Sequence, residues 1–122
     1  MFRSDELKQR IIQEQVPGRQ ITLSHIIANP DEALLAKVRL DRGHMAVSSA
    51  IGVLTVTPAE TALILADIAI KASGVVLGHV DCYHNGSLVL AGTVSEVEAS
   101  LQAISEYAQE KLRYEVCEIT RT

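Results

Sequence analysis

An α+β sandwich with an antiparallel sheet is the fold class this sequence predicts, and three observations carry it. First, Ala50–Gly92 (AIGVLTVTPAETALILADIAIKASGVVLGHVDCYHNGSLVLAG) reads as strand, helix, strand, hairpin and strand without a break. Second, Val94, Val97, Leu101, Ile104, Ala108 and Leu112 recur at alternating spacings of three and four, the stripe of a second amphipathic helix. Third, Gln20–Ile27 alternates with β-branched and apolar residues ahead of both, as a further strand. A βαββ unit with a helix behind it is half of a ferredoxin-like sandwich.

The elements follow in chain order. Met1–Gln9 is a polar tail; Ile11–Gln15 is compatible with an extended segment, and Pro17-Gly18 breaks it from the strand that follows. Asn29-Pro30-Asp31-Glu32 is a helix start signal of cap, first-turn proline and acidic first turn. The short helix after it runs to about Val38 and presents Leu34, Leu35 and Val38 on one side; Asp41–Ser49 is a loop holding Gly43 and His44. Beyond the next strand, Thr57 is placed to N-cap a helix over Pro58–Ser73. Pro58 suits its first turn, and Glu60 completes a capping box. Gly74 supplies a left-handed stop. Asn85-Gly86 marks a tight turn between the runs Val75–Tyr83 and Ser87–Ala91. The second helix spans Thr93–Leu112 with Glu96, Glu98, Gln102, Glu106 and Glu110 mostly solvated, and Tyr114–Ile119 closes the chain as a short strand.

One helix carries an oddity. Advancing about 100° per residue, Glu60, Ile64, Asp67 and Lys71 share one narrow sector, so Ile64 sits inside a charged stripe. Ala59, Ala62, Ala66 and Ala69 line another side and permit close approach to a sheet or a neighbouring subunit.

Composition bounds the function. A chain of 122 residues buries about two-thirds of its unfolded surface, enough for one core without staples. Apolar residues make up 48% but aromatics only 3%, so the core is built from Ala, Val, Ile and Leu, which favours thin, closely packed layers over a roomy ligand cavity. A net charge of −4 without a dense basic stripe argues against nucleic acid. No apolar run is long enough to span a bilayer, and the polar opening Met1–Gln15 contains no secretory core, so a cytoplasmic protein is expected. Cys82 and Cys117 are too few for a disulfide framework.

The best candidate for chemistry is the run His79-Val80-Asp81-Cys82-Tyr83-His84. Four ligand types in so short a run resemble a zinc or iron site, but a regular strand sends His79 and Asp81 to one face and Cys82 and His84 to the other. No metal, cofactor or catalytic set is therefore expected. Cys82 with His84 lacks an orienting carboxylate and an oxyanion donor. Ser24 and His25 are adjacent on a strand and so point to opposite faces; His25 reads as a strand residue with a satisfied ring nitrogen. The glycines form no phosphate-loop spacing.

Ile51-Gly-Val-Leu-Thr-Val-Thr, the Ala-rich helix ending Ile70-Lys71-Ala72-Ser73-Gly74, and Gly78-His79-Val80-Asp81 resemble the core of bacterial microcompartment shell domains. Ordinary members finish with a strand, a proline-containing turn and a short helix; here Ile21–Val38 with Asn29-Pro30 is of that kind and comes first. Val16–Leu23 and the closing Ile119-Thr120-Arg121-Thr122 strengthen the likeness to the circularly permuted subgroup of ethanolamine, propanediol and choline-utilising compartments. The resemblance implies a non-enzymatic shell protein, a flat homohexamer that tiles with itself and other shell proteins and encloses enzymes, with no membrane partner. It divides the chain into 1–15 and a permuted domain 16–122. In the hexamer, Ile11, Ile12, Gln13, Glu14 and Gln15 join a small β-barrel over the six-fold axis. Lys71 matches a helix-end lysine at hexamer edges, and Asn29 stands where ordinary members often carry an edge arginine. The hairpin Tyr83, His84, Asn85 and Gly86 approaches the axis and lines a narrow pore. The rival readings are a regulatory domain of ferredoxin-like fold whose subunit clefts bind a small molecule, and a small enzyme using residues 79–84.

Overall fold

The computed structural model describes residues 18–38 and 49–122. They form β1 (Gln20–Ala28), α1 (Glu32–Val38), β2 (Ala50–Thr57), α2 (Thr61–Ala72), β3 (Val76–Asp81), β4 (Ser87–Gly92), α3 (Val94–Glu110) and β5 (Thr120–Arg121). The proposed barrel strand Ile11–Gln15, the Val38 side chain and most of the Asp41–Ser49 loop lie outside the described residues.

The five strands make one sheet in the order β3-β4-β2-β1-β5. Three neighbouring pairs are antiparallel, and β1 with β5 is parallel, so the expected antiparallel sheet is mixed at one edge. The closing strand is also shorter and later than Tyr114–Ile119. Glu115 makes a lone bridge to Gln20, and regular pairing waits for Thr120 and Arg121 opposite His25 and Ile26. The intervening residues close the core instead: Tyr114 is buried, with its hydroxyl 2.5 Å from Thr61 Oγ1.

Helices α2 and α3 cover one face of the sheet. Ile21, Ile26, Leu54, Val56, Leu88 and Leu90 point up from the strands, against Ala62, Leu65, Ala66 and Ala69 of α2 and Val97, Leu101, Ile104 and Ala108 of α3. The α3 stripe expected from spacing is thus the core stripe. The small alanines of α2 let the two helices approach, and Ser100 Oγ donates to the Ala69 carbonyl (2.8 Å) at the crossing. Ile51 and Ala91 are buried on the opposite face among Ile27, Val53, Val76 and Val89, where Leu35 of α1 packs on them.

Several boundaries differ from expectation. Helix α2 begins at Thr61, not Pro58, and Thr57 is not its cap. Thr57 still pairs with Gln20 in the sheet, and the Thr57–Pro58 peptide is cis. The N–H groups of Thr61, Ala62 and Leu63 donate to the carbonyls of Pro58, Ala59 and Glu60, a tight turn that leads into the helix without a side-chain cap. Gly74 is not left-handed. Ser73 leaves the helix in an extended conformation, and Gly74 lies beside the Glu96 carboxylate, whose Oε2 would stand 2.5 Å from a Cβ there. The capping box belongs to α3: Glu96 N–H donates to Thr93 Oγ1 (3.2 Å) while Glu96 Oε1 accepts from Thr93 N–H (2.9 Å). Glu96, expected to be solvated, therefore works at the helix start. Helix α3 ends at Glu110, and Arg113 adopts φ 62°, the left-handed conformation more often supplied by glycine. At α1, Asp31 rather than Asn29 does the capping, its Oδ1 accepting from Ala33 N–H (2.8 Å), while Asn29 turns the chain at φ 50°.

Candidate functional site

The hairpin between β3 and β4 gathers the residues that the sequence singles out. A register irregularity between Leu77 and His79 sets the phase of the strand end: His79 lies opposite Val89, Val80 opposite Leu88, and Asp81 opposite Ser87. Val80 therefore packs toward the core, whereas His79 and Asp81 face away from the helices. Beyond Asp81 the ladder stops, so Cys82 and His84 sit in a turn and not on a strand face.

Asp81 organises that turn. Its Oδ1 accepts the N–H groups of Tyr83 (3.0 Å) and His84 (3.1 Å), and its Oδ2 accepts that of Asn85 (3.2 Å). Those donors, Tyr83 foremost and Asn85 next, hold the carboxyl down at about 2 against an ordinary 3.8, with desolvation opposing. A depressed acid stabilises the turn fully above its ordinary value, and that contribution fades as pH falls through about 2. The hairpin tip is thus tied at every pH from about 4 upward. His84 Nδ1 stands 3.6 Å from Asp81 Oδ1, so a carboxylate does adjoin this imidazole, contrary to the expectation from sequence that none would. Tyr83 is 87% exposed, and His84 and Asn85 project into solvent beside it.

Gly86 has a different task. It is buried at φ 68°, and its carbonyl accepts from Val56 N–H (2.8 Å). A Cβ at this position would strike the Val56 carbonyl oxygen and Ala59. The glycine seats the hairpin base against the end of β2, leaving Tyr83, His84 and Asn85 as the tip. In the sequence Asp81 stands out as a possible metal ligand and as the end of the Gly78–Asp81 motif, not as a turn former. A legible signal existed: an aspartate at a strand end, four residues before Asn-Gly, is a turn former whose oxygens reach the following amides.

The remaining candidates lie elsewhere. Lys71 Nζ is 2.9 Å from Asp67 Oδ2 on the open side of α2, and this hydrogen bond, with the aspartate's charge, raises the lysine's pKa. Glu60 and Ile64 share that side. Ile64 is 46% exposed, with Leu63 and Ile70 also outside the core, so the apolar break in the charged stripe is present at the surface. Asn29 is exposed just past β1, at the other end of the strands from the hairpin, its N–H donating to the Ser49 carbonyl (2.7 Å). His25 has both ring nitrogens placed, Nδ1 2.6 Å from Thr120 Oγ1 and Nε2 3.0 Å from Thr122 Oγ1, and Ser24 faces the core behind it. Cys82 and Cys117 are free thiols, and among the described residues no three His, Cys, Asp or Glu side chains converge. An open groove of about 410 Å³ between α3 and the C-terminal segment is lined by Ile26, Gln102, Ser105, Cys117 and Arg121 with Glu98 and Glu118.

Comparison with known proteins identifies the family. Residues 50–121 match the BMC domain. The chain is 44% identical over 113 residues to the bacterial microcompartment shell protein PduU of Salmonella typhimurium, covering 93% of each chain. It is 44% identical over 116 residues to the bacterial microcompartment shell protein EutS of Escherichia coli, covering 94% of this chain and 98% of EutS. Among solved structures, the CutR flat hexamer superposes with a TM-score of 0.79 at 42% identity, over 93% of this chain and all of that one. With the domain matched across more than half the chain and these relatives aligned nearly end to end, the chain belongs to the BMC-domain family of bacterial microcompartment shell proteins.

Proposed function

We propose that this chain is a structural, non-enzymatic subunit that closes into a flat homohexamer and tiles with other shell proteins in the wall of a cytoplasmic microcompartment. The observation that carries this is the match to the CutR flat hexamer over 93% of this chain and all of that one. The regulatory-domain reading has no comparable support.

On this reading the domain is circularly permuted. Two features support that: the BMC match starts at residue 50, while β1 precedes it in the chain and lies between β2 and the final strand β5 in the sheet. The segment 1–15 forms the barrel over the axis, through Ile11, Ile12, Gln13, Glu14 and Gln15. Tyr83, His84 and Asn85, seated on Gly86, turn toward the axis and narrow the pore. Lys71 and Asn29 belong to the hexamer edge, where the absence of an arginine at Asn29 favours assembly with other shell proteins over self-tiling.

Light scattering on the purified chain is the test. A homohexamer is expected, and a monomer or dimer that persists across micromolar concentrations overturns the proposal.

A further inference from the structure

The pairing of Asp81 with the hairpin tip bears on what the pore admits. A ring of histidines about a symmetry axis suggests an anion gate: protonated imidazoles crowd together, repel one another, and draw in anions. The geometry here differs from such a ring. Each imidazole has a carboxylate of its own, Asp81 Oδ1, 3.6 Å from His84 Nδ1, within the same turn. That carboxylate is held in place by three consecutive amides and cannot swing away without releasing all of them. We infer that Asp81 is the specificity-determining residue of the pore, an internal counter-ion that keeps the tip from becoming a cationic ring and so from collecting anions.

This inference rests on the hexamer reading above, in which symmetry repeats the Asp81–His84 pair once per subunit around the axis. With His84 neutral the ring carries the carboxylates' negative charge; with His84 protonated the pairs cancel. Neither state is net positive, so the opening favours neutral or cationic small molecules and disfavours anionic ones throughout the range in which imidazoles titrate. The other charged groups near the tip do not reverse this. Among the described residues, His84 is the cationic side chain paired with Asp81, Nδ1 to Oδ1 at 3.6 Å. Ser87, opposite on β4, is neutral, and His79, two residues back on the same face of β3, carries a second positive charge when protonated, which Glu60 offsets when both are ionised. Glu60, on the turn packed against Gly86, adds further negative charge to the neighbouring element.

The probe is sulfate, titrated calorimetrically at about pH 5.5 and about pH 8, on either side of the range in which imidazoles titrate. Wild type, Asp81→Asn, and Asp81→Asn with His84→Ala are compared, each first weighed by light scattering. Wild type is expected to change its sulfate affinity less than about twofold between the two pH values, whereas Asp81→Asn gains about tenfold or more at the lower one. The double variant is expected to lose that gain, which locates it at His84. Sulfate binding to wild type that strengthens about tenfold at low pH and disappears in His84→Ala overturns the inference with the hexamer intact, and needs no Asp81 variant to be seen. Equal binding by wild type and Asp81→Asn overturns it too. A wild-type chain that never reaches hexamer mass overturns the reading beneath it, a result told apart by the scattering measurement alone.

Discussion

At Gly52, in the middle of β2, the backbone passes so close to α3 that a Cβ would lie 2.8 Å from Val97 Cγ1, with Leu90 and Leu101 just behind. Val97 is fully buried. Gly52→Ala is therefore expected to destabilise the fold by about 1–3 kcal/mol through overpacking. Val97→Ala in the same chain should restore part of that loss, because it vacates the site the new methyl needs. A denaturant-unfolding cycle over the two single variants and the double measures this coupling directly, and strict additivity would show that the contact does not matter. Lys71 poses the opposite question, since it contributes little to the protomer: it is exposed and its partner Asp67 is its own neighbour four residues back. Lys71→Asp should leave hexamer mass unchanged and abolish incorporation into sheets or shells seen by electron microscopy. Loss of the hexamer would move Lys71 inside the ring, and normal tiling would reduce it to a surface pair.

Among the described residues, β3 is one edge strand of the sheet, and it is blunted in recognisable ways. It is short, its register slips between Leu77 and His79, and it ends in the polar His79 and Asp81. The other edge strand, β5, has only two residues and is pinned by the His25–Thr120 and His25–Thr122 contacts. The segment 1–15 lacks enough local context to hold a strand alone, and pairing with its copies around an axis would close its edges. Removing Met1–Gln15 should keep the hexamer while uncapping one side of its pore, checked by mass in solution and by crystallography of the truncated chain. A ring that falls apart on truncation would make the segment an assembly element. How far the elements were legible depends on what each signal reports. The α3 stripe was readable because a fully buried face leaves a strict three-and-four spacing. The hairpin was readable because Asn85-Gly86 has few other uses. The start of α2 was not, because Thr57-Pro58 has the composition of a cap while the sheet retains Thr57. Gly74 has the composition of a left-handed stop for a related reason, while the chain in fact leaves the helix through an extended Ser73. The short parallel pairing of β5 leaves no local trace at all, since its partner β1 lies nearly a hundred residues earlier in the chain.

For the whole molecule, the sheet separates two unlike surfaces. Helices α2 and α3 blanket one, carrying the carboxylates of Glu98, Glu106 and Glu110 and the Asp67–Lys71 pair outward. Across the other runs a cross-strand row of Thr120, His25, Val53, Val89 and His79, one residue from each strand, and among the described residues Leu35 packs on the cluster around Ile51 and Ala91. A layer with identical sides would have no preferred direction in which to bend and no way to tell interior from exterior. This protomer is lopsided before it meets any partner. Whatever meets this domain finds acidic helices on one side of the sheet and a row of threonine, histidine and valine on the other.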